Sequence, residues 1–194
     1  MNAYMGSRTC KLQKYHRRSI RLKEYDYSQT GAYFVTICSY NRKSIFGEIV
    51  DGKVVLSRYG RVVLTDWQNL AKRHPHIEFG AFTVMPNHVH GIVVIKDIPA
   101  GADSKLVSGT ARQSSLPEIV RGFKTFPARR VNRARRVVGV PVWQRNYWEH
   151  VIRNQEAFNR THEYILTNPK RWQLDRENPN CIGEDDFDRW LDSM

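Results

Sequence analysis

The first strong pattern along the chain is Tyr33–Ser39 (YFVTICS), whose β-branched and aromatic side chains predict a strand. Two shorter apolar runs, Ile45–Val50 and Lys53–Leu56, flank Asp51-Gly52, a pair suited to a tight hairpin turn. The period then changes: between Gly60 and Arg73, Val62, Val63, Leu64, Trp67, Leu70 and Ala71 recur at helical spacing. His76–Val84 and His88–Ile95 predict two more strands, joined around Met85-Pro86-Asn87. The Gly-, Ala- and Ser-rich stretch Pro99–Ser114 predicts a mobile loop. Ser115 followed by Glu118 forms a capping-box pair, and Ile119, Val120, Phe123 and Phe126 continue it as a helix. Val140–Gln144 predicts a short strand. Asn154 can cap a last helix over Gln155–Thr167, which Asn168-Pro169 ends. No internal repeat is evident. Hairpins and helices mix around one sheet, so the fold class is α+β.

Composition narrows the partners. The chain has 194 residues, enough to bury a core in one domain; 41% are hydrophobic and 26% charged, which excludes a disordered or membrane-embedded chain. No apolar stretch approaches the roughly 18 residues of a membrane-spanning helix. The basic N-terminus has no apolar segment of the kind a secretory signal needs, so a cytoplasmic, nucleoid-associated protein is expected. Cys10, Cys38 and Cys181 are isolated, which argues against a cysteine-rich zinc module and suits a reducing compartment.

Thirty-one Lys and Arg face 19 Asp and Glu, a net charge of +12. The excess is concentrated. A basic arm, residues 1–24, includes Arg17, Arg18 and Arg21. Residues 119–148 lack acids and carry Arg121, Lys124, Arg129, Arg130, Arg133, Arg135, Arg136 and Arg145. Arginine forks suit phosphate, and interleaved Tyr, Trp and Phe suit stacking of unpaired bases, so a nucleic acid is the expected partner and a membrane is not. The simpler alternative is a pair of solvated basic faces. Residues 173–194 invert the sign, and predict either a solvated, partly disordered acidic tail or a segment lying against the basic surface in competition with DNA. Between arm and tail, residues 25–172 form the folded domain.

His88-Val89-His90 is the sharpest chemical feature. On a strand, residues i and i+2 project from one face, roughly 6.5–7 Å apart at the backbone, close enough for two imidazoles to share a metal. Two hydrogen-bonded core histidines are the alternative. Ile92 and Val94 continue that face while Val89, Val93 and Ile95 line the other, so this strand should be central and covered on both sides. His74-Pro75-His76 has the same spacing but sits at a helix end, where it reads as cap and loop. In the last helix Ala157, Thr161, Tyr164 and Asn168 share one stripe, which makes Tyr164 and Asn168 neighbours one turn apart.

Val84-Met85-Pro86-Asn87-His88-Val89-His90 resembles the HUH motif (histidine, hydrophobic, histidine) of single-tyrosine transposases. Trp143-Gln144-Arg145, Tyr147-Trp148-Glu149-His150, Ile152-Arg153-Asn154, Tyr164-Ile165 and Asn168-Pro169 resemble the tyrosine region of REP-associated tyrosine transposases. Arg18–Leu22, Tyr25–Tyr27, Tyr33–Cys38 and Ile119–Lys124 are similar to one branch of that family, so the likeness runs from about residue 16 to 172. It implies a ferredoxin-like antiparallel sheet with helices, the HUH endonuclease fold. It implies His88, His90 and Asn168 as ligands of Mg²⁺ or Mn²⁺, and Tyr164 as the nucleophile, with Tyr147 as the competing tyrosine. The implied activity is cleavage and transfer of single-stranded, hairpin (REP-like palindromic) DNA through a 5′-phosphotyrosine. Arg17, Arg18, Arg21, Lys124, Arg129, Arg130, Arg133, Arg145, Tyr147, Trp148 and His150 become the candidate DNA contacts. A hairpin-binding protein without turnover is the alternative, an HUH replication initiator shares the chemistry, and both monomers and homodimers are expected of such proteins.

Overall fold

The structure, a computed structural model, describes residues 25–97 and 114–194. The basic arm with Arg17, Arg18 and Arg21, and the Pro99–Ser114 stretch except Ser114, lie outside the described residues. In chain order the elements are β1 (Gly31–Cys38), the hairpin strands β2 (Gly47–Val50) and β3 (Lys53–Leu56), and helices α1 (Arg58–Gln68) and α2 (Leu70–Arg73). There follow β4 (Ile77–Val84), β5 (His88–Ile95), α3 (Leu116–Arg135), β6 (Trp148–Ile152), α4 (Gln155–Thr167) and α5 (Asp186–Asp192).

Strands β4, β5, β1 and β6 pair in that order, every pair antiparallel, with α1 and α3 as crossovers. This is the ferredoxin-like arrangement of an α+β domain. Strand β5 sits between β4 and β1, the central position its two apolar faces require. The register sets Thr36 opposite His90 on β5 and opposite Trp148 on β6. One sheet face, with Tyr33, Val35, Ile37, Val89, Val93 and Ile95, packs under Val63 and Trp67 of α1 and Ile119, Val120 and Phe123 of α3. The other face, with Phe34 and Ile92, packs under Ala157, Tyr164 and Ile165 of α4 and Phe187 and Leu191 of α5. No helix among the described residues is long and apolar enough to cross a membrane.

Local chemistry explains most boundaries. Asp51 (φ 48°) and Gly52 (φ 68°) give the β2–β3 turn both of its positive φ angles. The Ser57 hydroxyl accepts from the backbone N–H of Tyr59 and Gly60, which starts α1 two residues before the apolar pattern does. The run expected as one helix to Arg73 breaks at Asn69, whose side-chain amide donates to the Thr65 carbonyl. At α3 the Glu118 carboxylate accepts from the Ser115 N–H at 2.8 Å, as the capping box requires.

Three expectations differ from the structure. Val140–Gln144 is not a strand; it makes a single bridge, Trp143 to Ser39, because Pro141 has no N–H to donate and Lys124 occupies the Gln144 carbonyl. Strand β6 and helix α5 arise where no element was expected. The acidic tail is not a solvated end. Asp175, Asp185, Asp188, Phe187 and Leu191 are buried, because the two apolar anchors cover the sheet and the acids find cationic partners: Arg176 donates to Asp188 at 2.7 Å, and Arg171 pairs with Asp185.

Candidate metal centre and tyrosine site

β5 delivers both imidazoles to one face, fully buried for His88 and 3% exposed for His90. Their Nε2 atoms stand 2.9 Å apart. Each ring is turned by a partner on its other nitrogen: His88 Nδ1 lies 2.8 Å from Asn87 Oδ1, and His90 Nδ1 lies 2.8 Å from Thr36 Oγ1. Since Asn87 Oδ1 can only accept, His88 carries its proton on Nδ1 and leaves the Nε2 lone pair facing His90. Burial above all, with His90 and Arg42 adding and Asp175 opposing, pushes His88 down to about 3, so it is a neutral ligand-type imidazole at physiological pH.

The third group comes from the segment after α4. Asp175 Oδ2 lies 3.5 Å from His88 Nε2 and 3.7 Å from His90 Nε2, and the residue is 1% exposed. A turn fixes it: Asp175 Oδ1 accepts from the Glu177 N–H at 2.6 Å, and its carbonyl accepts from the Asn178 N–H. His88, His90 and Asp175 are the one His/Cys/Asp/Glu group among the described residues placed to hold a metal ion. Asn168, at the end of α4, is also buried; its side-chain N–H donates to Asp175 Oδ2 at 2.7 Å, and its Oδ1 has no hydrogen-bond partner among the described residues. Two imidazole Nε2 atoms, a carboxylate and the unpartnered amide oxygen of the residue that donates to that carboxylate make a donor set that fits a divalent cation, which would take up that oxygen. Trp172 stacks beside His88 at 6.0 Å and closes the centre on that side.

Tyr164 lies one helical turn before Asn168, as the stripe on α4 predicts. Its ring centroid is 5.3 Å from that of His90, and it stacks on Phe187 of α5 at 3.9 Å. Burial first, then Asp175, Asp188 and Asp185, raise its hydroxyl well above the ordinary value, against a lowering contribution from Arg176. Tyr147 lines the same cavity of about 330 Å³ as Tyr164, with walls that also include Thr36, Arg145, Trp148 and Arg176. Trp148 is half-buried, edge-on to Phe34 and stacked with His150 at 6.0 Å, so it both packs the core and lines the cavity.

The predicted basic contacts separate. Arg145 lines the cavity beside β6. Lys124 points at protein instead: its Nζ donates to the carbonyls of Gln144 and Arg145 at 2.7 and 2.9 Å, and burial lowers it to about 8. Arg130 is paired with Asp66 at 2.8 Å. Arg129 and Arg133 are exposed on α3, on the opposite side of the sheet from His88 and His90. His74 ends α2, and His76 accepts from the Ser114 N–H, so that second histidine pair is cap and loop, as expected. Sequence reasoning missed Asp175 and the second role of Asn87. Asp175 was one of several acids in the tail, and nothing local marked it out.

No family model matches the chain. An uncharacterised protein of Haemophilus influenzae is 34% identical over 169 residues, covering 84% of this chain and 93% of that protein. A candidate REP-associated tyrosine transposase of the same organism is 26% identical over 149 residues, covering 74% of this chain and 73% of its own. Among solved structures, a REP-associated tyrosine transposase bound to a REP hairpin has the same fold, with a TM-score of 0.55 at 20% identity over 79% of this chain and 74% of that one.

Proposed function

We propose that the chain is a REP-associated tyrosine transposase, a metal-dependent endonuclease and strand transferase acting on single-stranded DNA that carries a hairpin. The observation that carries this reading is the convergence of Tyr164 on a buried His88–His90–Asp175 group within one chain. A single protomer therefore suffices for the site.

His88, His90 and Asp175 would hold the cation, with Asn168 Oδ1 as a further donor. A bound divalent ion supplies polarisation of the scissile phosphate. Two imidazoles against one carboxylate and one amide favour Mn²⁺ over Mg²⁺, whose preference for oxygen is stronger. The phenol oxygen of Tyr164 attacks phosphorus and a Tyr–O–P bond forms. The bond to the 3′ oxygen breaks; the phenolic proton is lost to solvent and the departing oxygen takes one up as a 3′-OH. The product is a 5′-phosphotyrosine; its phenolate is a better leaving group than an alkoxide, so attack on phosphorus by the same or another 3′-OH expels the Tyr164 oxygen and restores or redirects the strand without ATP. Arg176 lowers the cost of the phenolate. Arg145 and Trp148 on the cavity wall are placed to receive phosphate and an unstacked base.

One observation favours the second reading, a hairpin-binding protein without turnover: the Tyr164 hydroxyl is buried and held protonated. Incubating the protein with a labelled hairpin oligonucleotide carrying single-stranded flanks, in Mn²⁺, decides between them. The expected result is a covalent adduct, lost in Tyr164→Phe and kept in Tyr147→Phe. An adduct that survives Tyr164→Phe and vanishes in Tyr147→Phe would reassign the nucleophile. Tight binding with no adduct in any divalent ion would establish the binder.

A further inference from the structure

The two helical layers carry opposite charge. Residues 58–73 and 116–136, the layer of α1, α2 and α3, contain eleven Lys and Arg and two acids; residues 153–194, the layer over the metal centre, contain six against nine acids. Both acids of the basic layer are engaged, Asp66 by Arg130 and Glu118 in its cap. Most of its cations are committed as well: Arg61 donates to the Leu56 carbonyl, Arg58 to the Tyr59 hydroxyl, Arg135 lies over the Tyr59 ring and Arg73 over Phe126.

Three are not. Arg129, Arg133 and Arg136 are exposed and make no hydrogen bond, ion pair or ring contact with another described residue. Arg129 and Arg133 stand at i and i+4 on α3, and Arg136 follows as its left-handed C-cap, so the three form a basic stripe about 10 Å long at the end of the helix. We infer that this stripe holds the double-stranded stem of the DNA, on the side of the sheet away from the metal centre, while the unpaired flank passes the β6 edge into the cavity. The inference rests on the hairpin-DNA reading above.

Charge and surface chemistry choose duplex for this face. Phosphate attraction on the acidic α4–α5 layer is weak, so the electrostatic part of affinity belongs to the other layer. The rings on the basic layer are covered by guanidinium groups, which leaves phosphate contact and removes a platform for unpaired bases. Unpaired bases find Trp148 in the cavity instead.

The test uses the full chain in the Tyr164→Phe background, so that binding is read without cleavage. It compares a hairpin of long stem and short flank with an unstructured oligonucleotide of equal length. Arg129→Gln, Arg133→Gln and Arg136→Gln combined should weaken hairpin binding at least tenfold near 0.1 M salt. It should also lower the slope of log affinity against log salt by about 2 to 3, at roughly 0.9 per lost phosphate contact. Binding of the unstructured strand should change less than twofold, and Lys170→Gln with Arg189→Gln on the other layer should leave hairpin binding unchanged. Thermal melting of the triple variant checks its fold; all three side chains are exposed, so the melting temperature should match. Unaltered hairpin affinity, or an equal loss on both DNAs, would overturn the inference. Absence of any covalent adduct in the unmutated protein would instead refute the cleavage reading and leave this binding result intact.

Discussion

Asn87 joins two parts of the molecule through one amide. Its Oδ1 fixes the tautomer of His88, and its Nδ2 donates to the Glu177 carbonyl at 2.7 Å, two residues past Asp175. Replacing it with alanine frees the imidazole to rotate and loosens the turn that presents the carboxylate. Asn87→Ala should therefore weaken Mn²⁺ binding about 10- to 100-fold, the range for lost partners of metal-ligating histidines. Calorimetric titration measures this directly. Asp175→Asn removes a charged donor and should weaken binding more than Asn87→Ala does; equal affinity to the unmutated protein would exclude Asp175 as a ligand. At this scale the sequence was readable where spacing carries information: i and i+2 on a strand placed His88 with His90, and i and i+4 on a helix placed Tyr164 with Asn168. Asp175 was unreadable because its role depends on a tertiary contact across 85 residues, and no local period reports such a contact.

At the level of elements, β5 is constrained from both sides. A Cβ at Gly91 would stand 2.6 Å from Trp67 Cη2 and 3.0 Å from Phe82 Cδ2, and Trp67 is stacked on Phe82 at 4.1 Å with no room to swing away. Gly91→Ala should cost about 1–3 kcal/mol of stability by overpacking, seen as a shifted denaturant midpoint. Helix α5 makes a pH-dependent contribution through Asp188, which burial raises to about 7 against the pull of Arg176. A folded value above the unfolded one, near 3.9, means the native state favours the protonated form. That contribution to stability is present at low pH and is lost as pH rises from about 4 to about 7. Asp188→Asn should therefore gain melting temperature relative to the unmutated protein between pH 5 and pH 8; a constant difference would contradict the buried-carboxylate account. The central place of β5 was legible from its two apolar faces, and α4 from its cap and stripe. Strand β6 (WEHVI) and α5 were not, since one mixes charge into a short edge strand and the other is a seven-residue helix within an acidic stretch. Val140–Gln144 had the apolar content of a strand, but Pro141 removes a donor and pairing is confined to the bridge at Trp143.

For the whole molecule, metal binding at this group would be coupled to folding. The donors come from β5, the end of α4 and the segment after it, so they converge only in the native state. Mn²⁺ at a hundred times its Kd should stabilise the fold by about 2.7 kcal/mol. A melting temperature that rises with Mn²⁺, falls back with chelator and does not respond in His88→Ala would be the signature. Net charge pointed to a polyanionic partner. Which layer carries the charge was not legible, because Arg129 and Tyr164 are only 35 residues apart in the chain yet lie on opposite sides of the sheet, and the crossover that separates them is a property of topology.

The turn at Asp175 changes how shortened forms of this protein should be interpreted. A chain stopped at residue 172 loses a donor atom at the same moment as it uncovers the cavity, and Glu177, which accepts from Cys38 Sγ at 3.1 Å, goes with it. Altered cutting by such a form cannot be assigned to easier entry of DNA. A stop placed after Asn180 keeps Asp175 and its turn while removing α5, and the contrast between the two endpoints separates coordination from access.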